Sequence, residues 1–336
     1  MKKNLTKKLM LSVLTLAFAV VSLGASTFAW FTTSKEAQTE EIQAQVIGGS
    51  GIELGVAKIG DVAPTTYYIN ELPASAIKTV MDAAGFEKLN HVSGLNSETN
   101  SFNEALYDLD KNPASNKDYI AFRVFVKVNA AGQVVLNNVN VSTESAAVKW
   151  NAGVQYNHAN DDTTPVGPTE SVDYSVLNAV RVAVVQKEST IEEGVITGFA
   201  GNNFKVYEQA AGAAKGENSV GFSKKGAYEI YNAKTVGTDN DLPLFKTADV
   251  PNWACATFAD TYTVNDNGTT DNEEDDYKEF GQMADGGKIT VSVERDEVIA
   301  FDVYLWVEGY DAECVNAIFA QYVSLVLGFN WVEPTI

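Results

Sequence analysis

The chain is short of the residues that most enzymes use for chemistry. Two histidines, His91 and His158, and two cysteines, Cys255 and Cys314, occur in 336 residues. No H-E-x-x-H is present, which removes the helical arrangement that holds a catalytic zinc. No G-x-S-x-G elbow is present, and neither cysteine has a histidine near it in sequence. The expectation is a protein that is not an enzyme. Basic residues are scarce as well: 24 Lys and Arg stand against 44 Asp and Glu, a net charge of −20. Such an acidic body repels phosphate backbones, so no nucleic-acid partner is expected. Apolar residues are not scarce. A hydrophobic fraction of 45% supports a sizeable core and argues against wholesale disorder.

The basic residues that do occur are concentrated at the start. "MKKNLTKK" precedes a run from Leu9 to Ser34 that carries no charge. Thr27 and Ala29 form a small-x-small site, with cleavage expected between Ala29 and Trp30. Residues 1–29 therefore read as a signal peptide. The uncharged run exceeds the usual signal core of about 7–15 residues, so a retained membrane anchor is the alternative. Both readings place the body outside the membrane by the positive-inside rule. The run has no cysteine to carry a lipid, and "LVLGFNWVEPTI" at the other end holds no LPxTG-like sorting signal.

"GASTFAWFTTSKEAQTEEIQAQVIGGSGIEL" resembles the N-terminus of TasA/camelysin-type surface proteins, through Gly24, Ala29, Trp30, Phe31 and Thr32. The resemblance implies export, a signal peptidase of the SipW type as processing partner, and self-association into fibres. In such fibres a subunit's N-terminal strand completes the sheet of the next. The candidate strand here carries Ile42, Ala44 and Val46 on one face. Camelysin-type proteins are sometimes classed as metallopeptidases, but the histidine content here gives that activity no support. A second pattern, W-x-E-G-x-D-x-x-C-x-N, is formed by Trp306, Glu308, Gly309, Asp311, Cys314 and Asn316. It is similar to a motif in surface proteins without an assigned activity.

The body reads as strands. "KITVSVE", "VIAFDVYLWVEG" and "YVSLVLGFNW" alternate strictly, which puts one face in a core and leaves the other wetter. "DYIAFRVFVKV" (118–128) and "QVVLNNVNVS" (133–142), linked by "NAAG", read as a hairpin. "EEIQAQVI" (40–47) and "NAVRVAVVQ" (178–186) add two strands. Residues 72–90 carry Pro73 and then Ile77, Val80, Met81 and Ala84 at helical spacing, and 102–110 suggest a second short helix. The expected fold is all-β: an antiparallel β-sandwich, jelly-roll or Ig-like, with one or two short helical insertions and an N-terminal signal or hydrophobic helix. Residues 30–336 are expected to form one large domain, with the helical insertion near 72–110 and an acidic loop near 260–285.

Several features have both a chemical and a structural reading. Cys255 and Cys314 form a disulfide or stay as two separate buried thiols. The acidic loop at 265–276 is a weak calcium candidate: with Gly268 at the sixth position, Asn265, Asn267 and Glu274 fit an EF-type pattern, but Thr263 stands where the first carboxylate belongs. The structural reading is a solvated hairpin tip, and no other cofactor is expected. His158 with Asp161 and Asp162 touches a metal or belongs to a polar loop. Trp150, Trp253, Trp306 and Trp331 make a glycan platform or pack in the core. Two functions follow. The first is an exported cell-surface or matrix structural protein, a fibre-forming subunit that assembles by strand addition. The alternative is a membrane-tethered adhesin or glycan-binding module.

Overall fold

Val298–Glu308 (VIAFDVYLWVE) is β-branched or aromatic at most positions and becomes the central strand of the larger sheet. Everything else is arranged around it. The computed structural model describes residues 42–49, 51–69, 71–94, 102, 104–108, 112–151, 153, 156–157, 165–209, 256–257, 263–265, 277–279, 287–309 and 314–333. All of these fall within one unit, Thr39–Ile336.

In chain order the strands begin with β1 Ile42–Gly48, β2 Ile52–Ala57, β3 Tyr67–Ile69, β4 Glu71–Leu72, β5 His91–Val92, β6 Ile120–Val128 and β7 Gly132–Ser142. Next come β8 Val148–Trp150, β9 Tyr156–Asn157, β10 Pro165–Val166, β11 Val172–Tyr174, β12 Val180–Glu192 and β13 Val195–Glu208. The last are β14 Ala256–Thr257, β15 Thr263–Asn265, β16 Tyr277–Glu279, β17 Ile289–Val293, β18 Val298–Glu308 and β19 Val323–Val332. Helix α1 spans Ala74–Ala84, α2 spans Val176–Ala179, and Asn316–Ala320 forms a 3-10 helix.

The chain is mostly β, and its strands are mostly antiparallel. One sheet has the order β17-β7-β19-β1-β4. The other has the order β14-β13-β12-β18-β6-β2-β3, with β5 paired to the end of β18. β1 with β19, β13 with β14 and β5 with β18 are the parallel pairs. A single hydrophobic cluster takes in side chains from both sheets, among them Val46, Leu327 and Phe329 from the first and Leu54, Val184 and Phe301 from the second. The rings of Phe301 and Phe329 meet across it at 4.8 Å.

The expected hairpin at 118–142 does not form. β6 pairs with β18 and β2, whereas β7 pairs with β19 and β17. The chain crosses between sheets from Val128 to Gly132. A short link between two strand-like runs fits a hairpin and a crossover equally well; which one forms depends on the partners available to each strand edge. Here both edges of both strands are taken by partners elsewhere. A second crossover, between Val293 and Val298, lies against the first: Asp296 N–H donates to Val128 O at 3.0 Å. β12 and β13 form a true hairpin. Its turn residues Glu193 (φ 50°) and Gly194 (φ 81°) both take the left-handed conformation that a tight two-residue turn requires.

β7 shows how the apolar pattern sets register. Val134 and Leu136 face the core at even numbers, and Val139 and Val141 face it at odd ones. The parity changes at a bulge, where pairing to β19 jumps from Asn138↔Gly328 to Leu136↔Phe329 and leaves Asn137 unopposed. α1 is shorter than the 72–90 expected. It buries Ile77 and Met81 and ends where Gly85 (φ 87°) lets its own N–H reach Asp82 O and that of Phe86 reach Met81 O. The expected second helix is absent from the described part of 102–110. Tyr107 instead makes bridges with Ser93 and Pro113.

Candidate functional site

The expectation of one wet face fails for β18. Ile299, Phe301, Val303, Leu305 and Val307 face the core shared by both sheets. On the opposite face Ala300, Asp302, Tyr304, Trp306 and Glu308 are buried too. Chain from the stretch between β5 and β6 covers that second face. Phe102 stacks on Trp306, with ring centroids 5.7 Å apart and planes 8° apart, and meets Tyr304 edge-on at 5.3 Å. Trp306 therefore belongs to a buried layer and cannot serve as a surface platform.

The W-x-E-G segment fastens this covering layer. Trp306 Nε1–H donates to Glu308 Oε2 at 2.9 Å, and Gly94 N–H donates to the same oxygen at 3.4 Å. Gly309 N–H donates to Val92 O at 2.7 Å. Gly94 passes so close to the indole that a Cβ there would stand 2.8 Å from Trp306 Cζ2. Cys314 is buried on the other side, in the core between the sheets. Asn316 lies in the 3-10 helix. Asp311 is outside the described residues, as is Cys255.

Charges on the covered face come as pairs. Arg123 and Asp302 stand directly opposite on β6 and β18. Arg123 Nε and Nη2 donate to the two carboxylate oxygens at 2.6 and 2.7 Å, and Nη1 donates to Asp61 O at 2.8 Å. Burial works against the guanidinium charge, but the Asp302 hydrogen bonds and charge more than offset it, so the Arg123 pKa is raised. Lys187 pairs with Glu104, and Arg181 with Glu208. Burial, then the carboxylates of Asp302 and Glu104, push the Tyr304 phenol well above its ordinary range. The His91 ring lies 4.5 Å from that of Phe319, and burial lowers its pKa to about 4. Arg123, Arg181 and Lys187 are each held against a carboxylate, an arrangement that builds structure. Sequence reading passed over them, although a lone charge inside an apolar strand, as in "AFRVF" and "AFDVY", marks a buried partner.

The candidate assembly strand lies inside a sheet. β1 pairs in parallel with β19 over seven positions, from Ile42↔Val323 to Gly48↔Phe329. Its other edge meets β4 only at Val46↔Leu72 and Ile47↔Glu71. Ala44 and Val46 are buried in the core.

A cleft of about 310 Å³ opens on the opposite face of this sheet. Asn140, Val326 and Gln45 form one row across β7, β19 and β1, and Ser142 and Ser324 share the next. Glu71 and Ala74 stand at one end, and Thr143, Glu144 and Tyr322 at the other. Gln45 Nε2 donates to Glu71 Oε1 at 2.7 Å. The far rim is pinned where Thr143 Oγ1 donates to Tyr322 O at 2.6 Å and Tyr322 N–H donates to Ser145 Oγ at 2.8 Å. Asn140, which lines the cleft, is 4% exposed. Sequence reading missed this cleft. Its only trace is the run of uncharged polar residues at alternate positions of β7 and β19.

Other expected sites lie elsewhere. Residues 1–29, with the Ala29–Trp30 junction, are outside the described residues, and so are His158, Asp161 and Asp162. Most of the acidic loop is outside as well, but β15 and β16 pair on either side of it, from Thr263↔Glu279 to Asn265↔Tyr277. Among the described residues no group of three or more His, Cys, Asp and Glu side chains is placed to hold a metal ion. Comparison of the chain with protein-family models, curated proteins and solved structures finds no match.

Proposed function

We propose that the chain is an exported structural subunit of the cell surface or extracellular matrix, without enzymatic activity. In this reading the two sheets form a β-sandwich of jelly-roll or Ig-like type, and subunits join by exchange of β1. The observation that carries it is the placement of β1. The first described strand fills an interior position beside β19, near the other end of the chain. A short link, Gly49-Ser50-Gly51, joins it to β2 in the other sheet. Such a link can open without breaking either strand. A neighbour's β1 would then make the same main-chain bonds and bury the same Ala44 and Val46, so exchange costs little beyond ordering the link. A head-to-tail exchange does not close on itself and propagates as a filament.

The TasA/camelysin-like N-terminus supports the same reading. Cleavage between Ala29 and Trp30 by a SipW-type peptidase would release the chain that leads into β1. Uncut, residues 1–29 would tether it to the membrane. The test is negative-stain microscopy of the exported protein, with mass spectrometry of its N-terminus. Filaments built from chains beginning at Trp30, capped by an added peptide of residues 39–49, are the expected result. A protein that stays monomeric at high concentration and ignores the peptide would defeat the proposal.

A further inference from the structure

We infer that the cleft across β7, β19 and β1 binds a neutral carbohydrate unit. Its lining is a set of amides and hydroxyls, Gln45, Asn140, Ser142, Thr143 and Ser324, with the carboxylates of Glu71 and Glu144 at its ends. No Lys, Arg or His lines it. Phosphate, sulfate and uronate groups would meet two negative charges and no positive one, so anionic ligands are excluded. Among the described residues no group of three or more His, Cys, Asp and Glu side chains converges there to hold a cation.

Ring hydroxyls fit what remains. A sugar hydroxyl both donates and accepts, and so do an amide group and a serine hydroxyl. Adjacent strands place such groups about 4.8 Å apart, a grid on which neighbouring hydroxyls can each find a partner. Asn140 is the most deeply set polar residue of the lining, at 4% exposure. Its amide offers one acceptor and two N–H donors, which a pair of ligand hydroxyls can match. Glu71 is already oriented by Gln45, which leaves its second oxygen to accept from a ligand hydroxyl. Val326 and Tyr322 add apolar surface for a sugar ring. The volume, about 310 Å³, lies at the small end of ligand pockets, which run from about 300 to 1,000 Å³. It suits a mono- or disaccharide unit held from one side, as on a longer glycan. The cleft is the same whether β1 is a subunit's own strand or an exchanged one, so this inference stands apart from the assembly proposal.

The experiment is saturation-transfer NMR on the full chain with chitobiose, cellobiose and maltose, and with a sulfated disaccharide as the anionic control. Saturable transfer to at least one neutral sugar and none to the sulfated one is expected. Asn140→Ala and, separately, Glu71→Gln should weaken the binding about tenfold or more, the loss of one good polar contact. Glu71 is exposed, so its variant keeps the fold and serves as the check if Asn140→Ala is destabilised. Binding to none of the neutral sugars overturns the inference. So does equal binding of the sulfated sugar, or binding that Glu71→Gln leaves unchanged.

Discussion

Removing the Asp302 carboxylate should cost far more than any surface ion pair. The side chains of Arg123 and Asp302 are only 6% and 1% exposed. Asp302→Ala would leave the guanidinium in that setting with Asp61 O as its remaining hydrogen-bond acceptor and the Phe199 ring 5.2 Å from its centre. Breaking a buried pair from one side typically costs about 3–5 kcal/mol, because the remaining charge keeps its desolvation penalty without its partner. With an m-value of about 3 kcal/mol/M for a body of this size, urea unfolding should shift to a midpoint about 1–1.7 M lower. Replacing both partners with apolar residues removes the penalty along with the attraction. Arg123→Met with Asp302→Leu should therefore lie within about 1 kcal/mol of the parent protein, or above it. With Arg123→Met and Asp302→Leu as the single variants of the cycle, the coupling energy should be at least about 2 kcal/mol. An Asp302→Ala loss below about 1 kcal/mol would refute this reasoning. A double variant as unstable as the single one would refute it too.

Other outcomes follow from the same packing. His91 has its pKa lowered to about 4 from 6.5, so the unfolded chain binds the extra proton first. This contribution is fully present above about pH 6.5 and is lost as pH falls toward 4; at about 1.4 kcal/mol per pH unit it reaches ~3 kcal/mol, and about 2 once the ring's residual solvent contact is counted. Melting of His91→Phe against pH should show that much less acid sensitivity between pH 6.5 and 4. Gly94→Ala should destabilise by about 1–3 kcal/mol, because Trp306 is fully buried and cannot yield to the new methyl group; an unchanged melting temperature would contradict the close approach. Glu308→Ala should cost about 1–3 kcal/mol by leaving the indole N–H and the Gly94 N–H unmet. Glu308→Gln, which keeps an acceptor, should recover most of that loss in chemical denaturation.

Much of this protein could be read without coordinates, because strand periodicity is a local property. The core face of β17 (Ile289, Val291, Val293) and that of β19 (Val323 to Phe329) follow directly from alternation. α1 was visible in the spacing of Ile77 and Met81, although its end depended on the left-handed Gly85. Alternation also identified the residues of β18 that face the core. It could not show that Trp306 and Glu308 on the other face are covered, since their covering comes from chain some two hundred positions earlier. The same limit applies to the charges. Arg123 and Asp302 are each visible as an anomaly in an apolar strand, but only the sheet register makes them a pair.

The sequence by itself determined the class of structure: strands, their buried faces and a strongly acidic body poor in catalytic side chains. Those properties depend on the order of neighbours along the chain, where period and composition act. Tertiary structure alone decided that β6 and β7 belong to different sheets, that β1 lies beside β19, and that Asn140, Ser324, Gln45 and Glu71 meet in one cleft. The physical reason is that a strand's hydrogen-bonding edges carry almost no sequence information. Every backbone offers the same N–H and C=O groups. The choice of partner is settled only by how all the apolar faces can be buried at once.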